Sequence, residues 1–152
     1  MIKIREAYIG DAQIITEFQL KMALETEKLW LDEQVVTKGV EAVLNQPNLG
    51  KYLIAEKELN PVGVFMITYE WSDWRNATVL WMQSVYVNPE SRGEGVFTQM
   101  YSYLKKMVNT NPDYCGVRLY VVKNNEIAKS AYHNVGMSHE HYEMFEWMKP
   151  KN

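Results

Sequence analysis

Apolar residues along this chain change period several times, and each change marks an element. Ile2 and Ile4 alternate with polar neighbours, as in a short strand. Gly10 and Asp11 break that pattern, and Asp11 suits a helix N-cap. Ile14, Ile15, Phe18 and Met22 then recur at helical spacing. Val36, Val40, Val43 and Leu44 mark a second helix, which Pro47 and Gly50 stop. Strand signals follow. Residues 52–55 are a short apolar run and Asn60-Pro61 is a turn signal. Residues 62–71 read as a long strand, 72–76 as a polar turn and 77–87 as its antiparallel partner. Val96, Met100, Leu104 and Met107 lie on one helical stripe, and Val117, Leu119 and Val121 alternate with Arg118 and Tyr120 as in a strand. Ile127, Ala128, Ala131, Tyr132 and Val135 predict a last helix, closed by Gly136 as a C′ glycine. Residues 138–148 predict one or two final strands. The antiparallel strands come first, and a β-α-β-α-β half that favours parallel pairing follows, which is an α/β (α+β) order.

Length adds that 152 residues make one ordinary domain, taken as residues 1–152. The chain is 47% hydrophobic and 23% charged, which excludes a disordered segment. A net charge of -3 argues against nucleic acid as a partner. The single Cys115 excludes an internal disulfide and a multi-cysteine metal site, and its place in a strand predicts an inert buried thiol. No apolar run approaches the ~18 residues of a membrane span. The N-terminus has no long apolar core of a signal peptide. These features predict a soluble, unprocessed, cytoplasmic protein without a membrane partner.

Candidate chemistry concentrates between Ser84 and Phe97, where a strand enters a turn with Gly93 and Gly95 and the turn opens a helix. A helix N-terminus presents unpaired N–H groups and the positive end of its dipole. Glycines there remove side chains that would hold an anion away, which makes a phosphate cradle. Arg92 adds a fixed positive charge. A dinucleotide fingerprint would need a third glycine, where this chain has Thr98, and a Walker loop would need Gly-Lys-Ser/Thr. Two glycines also suffice for a tight strand-to-helix turn with no ligand at all.

The stretch Arg92-Gly93-Glu94-Gly95-Val96-Phe97 resembles the pyrophosphate loop of the GNAT N-acetyltransferases, Arg/Gln-x-x-Gly-x-Gly/Ala, with Phe97 departing at the last position. Asn125, Ala128, Tyr132 and Gly136 resemble the family's second block, Asn-x-x-Ala-x-x-x-Tyr-x-x-x-Gly-Phe, with Met137 in place of Phe. The order of elements is similar to the family's from end to end. This resemblance implies a mixed, mostly antiparallel sheet of six to seven strands flanked by about four helices. It implies transfer of an acetyl group from acetyl-CoA to a primary amine by direct attack in a ternary complex, with no metal. The alternative is an acyl-CoA-binding module without turnover.

By the same resemblance, Arg92, Gly93, Glu94, Gly95, Val96, Phe97 and Asn125 would hold the cosubstrate. Val85, Tyr86 and Val87 would pair with its pantetheine arm through their backbones, beside a bulge that the sequence does not display. The Val85 N–H would serve the developing oxyanion. Tyr132 would give the departing thiolate its proton; from its helical stripe alone, Tyr132 is equally a core residue. Many relatives carry a carboxylate where this chain reads Trp81-Met82-Gln83-Ser84. Gln83 cannot be a base but could orient a water or the amine. Glu70 is a possible substitute, with Asp73, Glu25 and Glu27 behind it; for each, an exposed surface carboxylate is the plainer reading.

Trp71, Trp74 and the acidic Glu70 and Asp73 around the hairpin tilt the acceptor slightly toward a small cationic amine, although sheet packing or a dimer contact explains the aromatics as well. His139 and His141 share a face by period two but lack a third metal ligand. Lys105-Lys106 reads as a solvated face. The late strands leave room for a homodimer.

Overall fold

The computed structural model describes residues 1–151 and separates into two units, one from Met1 to Leu119 and one from Tyr120 onward. In the first unit, strand order in the sheet follows strand order in the chain. β1 (Ile2–Glu6), β2 (Lys51–Lys57), β3 (Asn60–Ser72) and β4 (Ala77–Val87) are antiparallel, and β5 (Tyr114–Arg118) joins β4 in parallel. Helices α1 (Ala12–Glu27) and α2 (Glu33–Asn45) connect β1 to β2. Helix α3 (Val96–Thr110) makes the crossover from β4 to β5 that parallel pairing requires.

Alternation along the strands splits the core into two layers. Leu53, Ala55, Phe65, Ile67, Leu80 and Met82 face Val96, Met100 and Leu104 of α3. Tyr52, Ile54, Val64 and Tyr86 face Ile15 and Phe18 of α1 and Val40 of α2. Phe18 and Phe65 are fully buried, each contributing about 1.5–3 kcal/mol by leaving water. Burial also pushes the Tyr52 phenol up to about 12.

Asp11 occupies the N-cap position of α1, but its carboxylate does not cap the helix. It accepts from both terminal nitrogens of Arg5, at 2.8 and 2.9 Å, and from the Tyr8 N–H at 2.9 Å. Arg5 Nε donates to Glu56 at 2.6 Å, so one guanidinium joins β1, β2 and the start of α1. Asp32 caps α2 by accepting from the N–H groups of Gln34 and Val35. The β2–β3 turn is Glu58-Leu59, at φ 51° and 67°, and Asn60-Pro61 begins the next strand.

The second unit contains α4 (Glu126–Asn134). Gly136, at φ 91°, follows it as the sequence predicts. Its N–H donates to the His133 carbonyl at 3.0 Å and the Met137 N–H to the Tyr132 carbonyl at 3.1 Å, a Schellman ending.

Mixed α+β architecture and four α-helices agree with expectation. The strand count does not: the described residues hold five strands, and 138–148 form none. Apolar–polar alternation is a property of side chains, whereas a strand exists only when a neighbouring edge accepts its N–H and C=O groups. The fifth strand ends at Arg118, so the alternation at Leu119 and Val121 is not used either. Cys115 is exposed: Thr78 pairs with Tyr114 and Val79 with Gly116, so Cys115 is an extra residue in the β5 ladder, its thiol 3.5 Å from the Thr78 carbonyl. No helix is long and apolar enough to cross a membrane among the described residues.

Candidate active site

The centre of the site is an irregularity in β4. Gln83 pairs with Met66 and Tyr86 with Val64, so Ser84 and Val85 together oppose Phe65 alone. This is a bulge, and Ser84 takes a left-handed φ of 52° within it. The insertion inverts the alternation. Met82 faces α3 and Gln83 lies on the α1 side, but after the bulge Val85 and Val87 face α3 while Tyr86 turns toward α1. Parallel pairing with β5 ends at Trp81 opposite Arg118, just before the bulge. From Met82 to Val87, therefore, the β5-side edge of β4 has no strand partner among the described residues. Gln19, a polar residue on the buried stripe of α1, donates to the Ser84 carbonyl at 3.3 Å and holds the bulge from below.

The chain leaves β4 through a 3-10 turn at Pro89–Ser91. The Asn88 N–H donates to the Val62 carbonyl at 2.8 Å and Ser91 is buried, which fixes the exit. Gly93 and Gly95 follow at φ 77° and 82°. A Cβ at either would meet no heavy atom within 4 Å, so the space before both glycines is open. Gly95 is the N-cap of α3 and supplies no side-chain cap. The first bond inside the helix runs from the Gln99 N–H to the Gly95 carbonyl at 3.0 Å, leaving the first turn's N–H groups without intrahelical acceptors. Val96 is buried and Phe97 stacks on Tyr101 at 6.4 Å, so their side chains anchor the helix start and only their backbones face the turn. Glu94 is exposed and paired with Lys57 at 2.8 Å.

Arg92 is held on three sides. Its Nε donates to the Val87 carbonyl at 2.9 Å, its terminal nitrogens donate to both oxygens of Glu25 at 2.9 and 2.7 Å, and its guanidinium lies 5.6 Å from the Tyr86 ring centroid. The ion pair keeps the Glu25 carboxyl below its ordinary range. Tyr86 in turn packs on Phe18 at 5.3 Å.

Three of the four carboxylates considered as bases are engaged elsewhere. Glu70 accepts from the Trp81 indole N–H at 2.7 Å and from Arg118 at 2.5 Å, so a half-buried ion pair balances its charge. Asp73 accepts from the Trp74 N–H in the hairpin turn, and Glu25 is taken by Arg92. Gln83 donates its amide to Thr68 Oγ1 at 2.5 Å, a contact that fixes its orientation.

Thus the first unit brings together Gln83, Val85–Val87 and Arg92–Phe97 on one strand exit and one helix start. Asn125 and Tyr132 belong to the second unit. Asn125 is the N-cap of α4 and accepts from the Ala128 N–H at 3.1 Å. Tyr132 lies two turns on, and burial raises its phenol above the ordinary value of 10.0, so it is protonated at neutral pH. Sequence reasoning missed Ser84, Gln19, Thr68 and Arg118. Of these, only Gln19 leaves a trace, as a polar residue among Ile15, Phe18 and Met22.

The family model of the acetyltransferase (GNAT) family matches residues 15–137. The chain belongs to the GNAT acetyltransferase family. It is an acyltransferase of that type, and acetyl transfer is its general activity. No curated protein matches the sequence. Among solved structures, this acetyltransferase is similar to a possible acetyltransferase from Clostridium difficile 630, with a TM-score of 0.92, 41% identity and 99% of each chain covered. A predicted acetyltransferase with acetyl-CoA from Clostridium acetobutylicum shares the fold at a TM-score of 0.73 and 18% identity, over 99% of this chain and 96% of that one. AAC(6')-Iy, in complex with the bisubstrate analog CoA-S-monomethyl-acetylneamine, shares it at 0.76 and 14% identity, over 99% of each chain.

Proposed function

We propose that this GNAT acetyltransferase moves an acetyl group from acetyl-CoA to a primary amine by direct attack, with both substrates bound together. The observation that carries this reading is the succession of a bulge at Ser84–Val85, a β4 edge without a strand partner from Met82 to Val87 among the described residues, and a helix start opened by Gly93 and Gly95. These features fit acetyl-CoA part by part. The open space at both glycines and the N–H groups of the first helical turn suit its diphosphate. The backbone of Val85, Tyr86 and Val87 offers donors and acceptors to the amides of the pantetheine arm. Solved relatives with acetyl-CoA and with a CoA-containing bisubstrate analog support the same cosubstrate.

Acetyl-CoA supplies an activated thioester. The Val85 N–H is the donor for the charge that develops on the thioester oxygen. Tyr132 holds a proton at neutral pH and is assigned its transfer to the departing thiolate. The amine must attack in its neutral form. Gln83, fixed by Thr68, orients the amine or a water that carries its proton away. Because Arg118 balances Glu70, that carboxylate gives little electrostatic support to a specifically cationic acceptor. Residues 1–152 act as one transferase domain in this reading, since the family match crosses the boundary between the two units.

The test is thiol release from acetyl-CoA across a panel of amines, with Tyr132→Phe alongside. One amine class should release thiol above background, and the variant should lose about 10²-fold or more in kcat. Equal rates in both proteins would remove Tyr132 as the acid. Stabilisation by acetyl-CoA without release for any amine would favour the binding module instead.

A further inference from the structure

Arg92 is the one cation in the glycine turn, and its charge is already answered from within the protein. Of its five N–H donors, the Nε donor goes to the Val87 carbonyl and one on each terminal nitrogen goes to Glu25. Bidentate pairing of this kind is the geometry in which a guanidinium also meets a phosphate. Glu25 therefore occupies the donors that a diphosphate would use, and its negative charge opposes an anion at the same place. The pair spans 67 residues and is not a local accident of the turn, because Glu25 comes from the last turn of α1. The other two supports of Arg92, the Val87 carbonyl and the Tyr86 ring, do not compete with an anion. They keep the guanidinium beside the turn whichever carboxylate or phosphate it faces.

We infer that Glu25 is a positioning residue that competes with the diphosphate for Arg92, so that the cosubstrate binds by exchanging one oxyanion partner of the guanidinium for another. This rests on the reading of the Arg92–Phe97 turn as the diphosphate site. Acetyl-CoA and CoA carry the same diphosphate. The competition therefore weakens both equally, and its functional consequence is readier release of product CoA without loss of discrimination between the two. The pair is partly exposed, with side chains 45% and 40% accessible, so its strength falls in the range of surface ion pairs.

The experiment is calorimetric affinity for acetyl-CoA, CoA and S-acetylpantetheine, which lacks the diphosphate. The proteins are the wild type, Glu25→Gln, Arg92→Gln and the double variant. Glu25→Gln should bind acetyl-CoA and CoA about two- to fivefold more tightly, and S-acetylpantetheine as the wild type does. In the Arg92→Gln background the same change should have no effect, whereas simple removal of a nearby negative charge would still tighten binding there. Unchanged or weaker acetyl-CoA binding by Glu25→Gln, with Arg92→Gln clearly weakened, would overturn the competition and leave the diphosphate site standing. Wild-type affinity in Arg92→Gln would show that Arg92 does not reach the diphosphate, and would overturn both.

Discussion

Replacing Gly95 with alanine separates the two readings of the glycine turn, ligand cradle and plain structural turn. At φ 82° an L-residue is strained, which costs about 1–2 kcal/mol. Nothing lies within 4 Å of the added Cβ, so no steric penalty is added in the protein itself. For a chain of this length, each kcal/mol shifts Tm by roughly 2–4 °C, and Gly95→Ala should therefore melt about 2–8 °C lower. Its effect on binding should be larger. The methyl group enters the space through which an anion approaches the first-turn N–H groups, and losing one hydrogen bond to a charged group costs about 1.5–3 kcal/mol. That is a weakening of roughly 10- to 150-fold for acetyl-CoA. S-acetylpantetheine is the control and should bind as before. The assay is calorimetry below the variant's melting range. If Gly95→Ala shows the expected loss of stability but binds acetyl-CoA like the wild type, the glycines serve only to turn the chain and the cradle argument fails.

Three further outcomes follow from the packing. A Cβ at Gly63 would sit 2.5 Å from Met100 Cε and 2.8 Å from the Tyr86 carbonyl, so Gly63→Ala must shift β4 beside the bulge. Urea unfolding should show a loss of about 1–3 kcal/mol, and no loss would mean that the strand gives way freely. Asp11 has a carboxyl held below its ordinary value of 3.8, mainly by the hydrogen bonds from Arg5. Its stabilisation is complete above that value and is lost as pH falls through the lower folded value. Arg5→Ala should cost about 3 kcal/mol at pH 7, less than for a fully enclosed pair because Arg5 is a quarter exposed, and should flatten the acid limb of the stability curve; an unchanged limb would remove Asp11 as its origin. Leu59 is exposed at φ 67° in a two-residue turn, so Leu59→Gly should raise stability by about 0.5–1 kcal/mol, the relief of strain less the entropy of glycine. A fall in denaturation midpoint would contradict that balance.

Much of this site is legible in the sequence because its signals are local. Gly93 and Gly95 announce a backbone that only glycine adopts without strain, and Asn125, Tyr132 and Gly136 mark the start, face and end of one helix. The bulge is not legible. Ser84 has no feature that demands φ 52°, and it adopts that angle because its neighbours are claimed by opposite layers: Val85 and Val87 by α3, Tyr86 by Phe18 of α1. The Arg92–Glu25 pair is equally silent, since each residue alone reads as a solvated charge. The predicted strands at 138–148 fail for a related reason, because periodicity names a face and says nothing about an available edge.

The bulge also explains how β4 brings Tyr86 beside Arg92. In an uninterrupted strand, Tyr86 would share the side of Met82 and face α3, and Val85 and Val87 would turn toward α1. Phe18 would then lose its ring partner, and Arg92 would lose the aromatic surface beside its guanidinium. One extra residue avoids both. It sends Tyr86 to the layer where Arg92 can rest on it, keeps Val85 and Val87 in the α3 core and falls just after the end of the β5 ladder, where the β4 edge has no strand partner among the described residues. The place of Arg92 follows from where Ser84 is inserted, so Gly63→Ala, whose added Cβ would press on the Tyr86 carbonyl at 2.8 Å, should reach the site by displacing the strand that carries it.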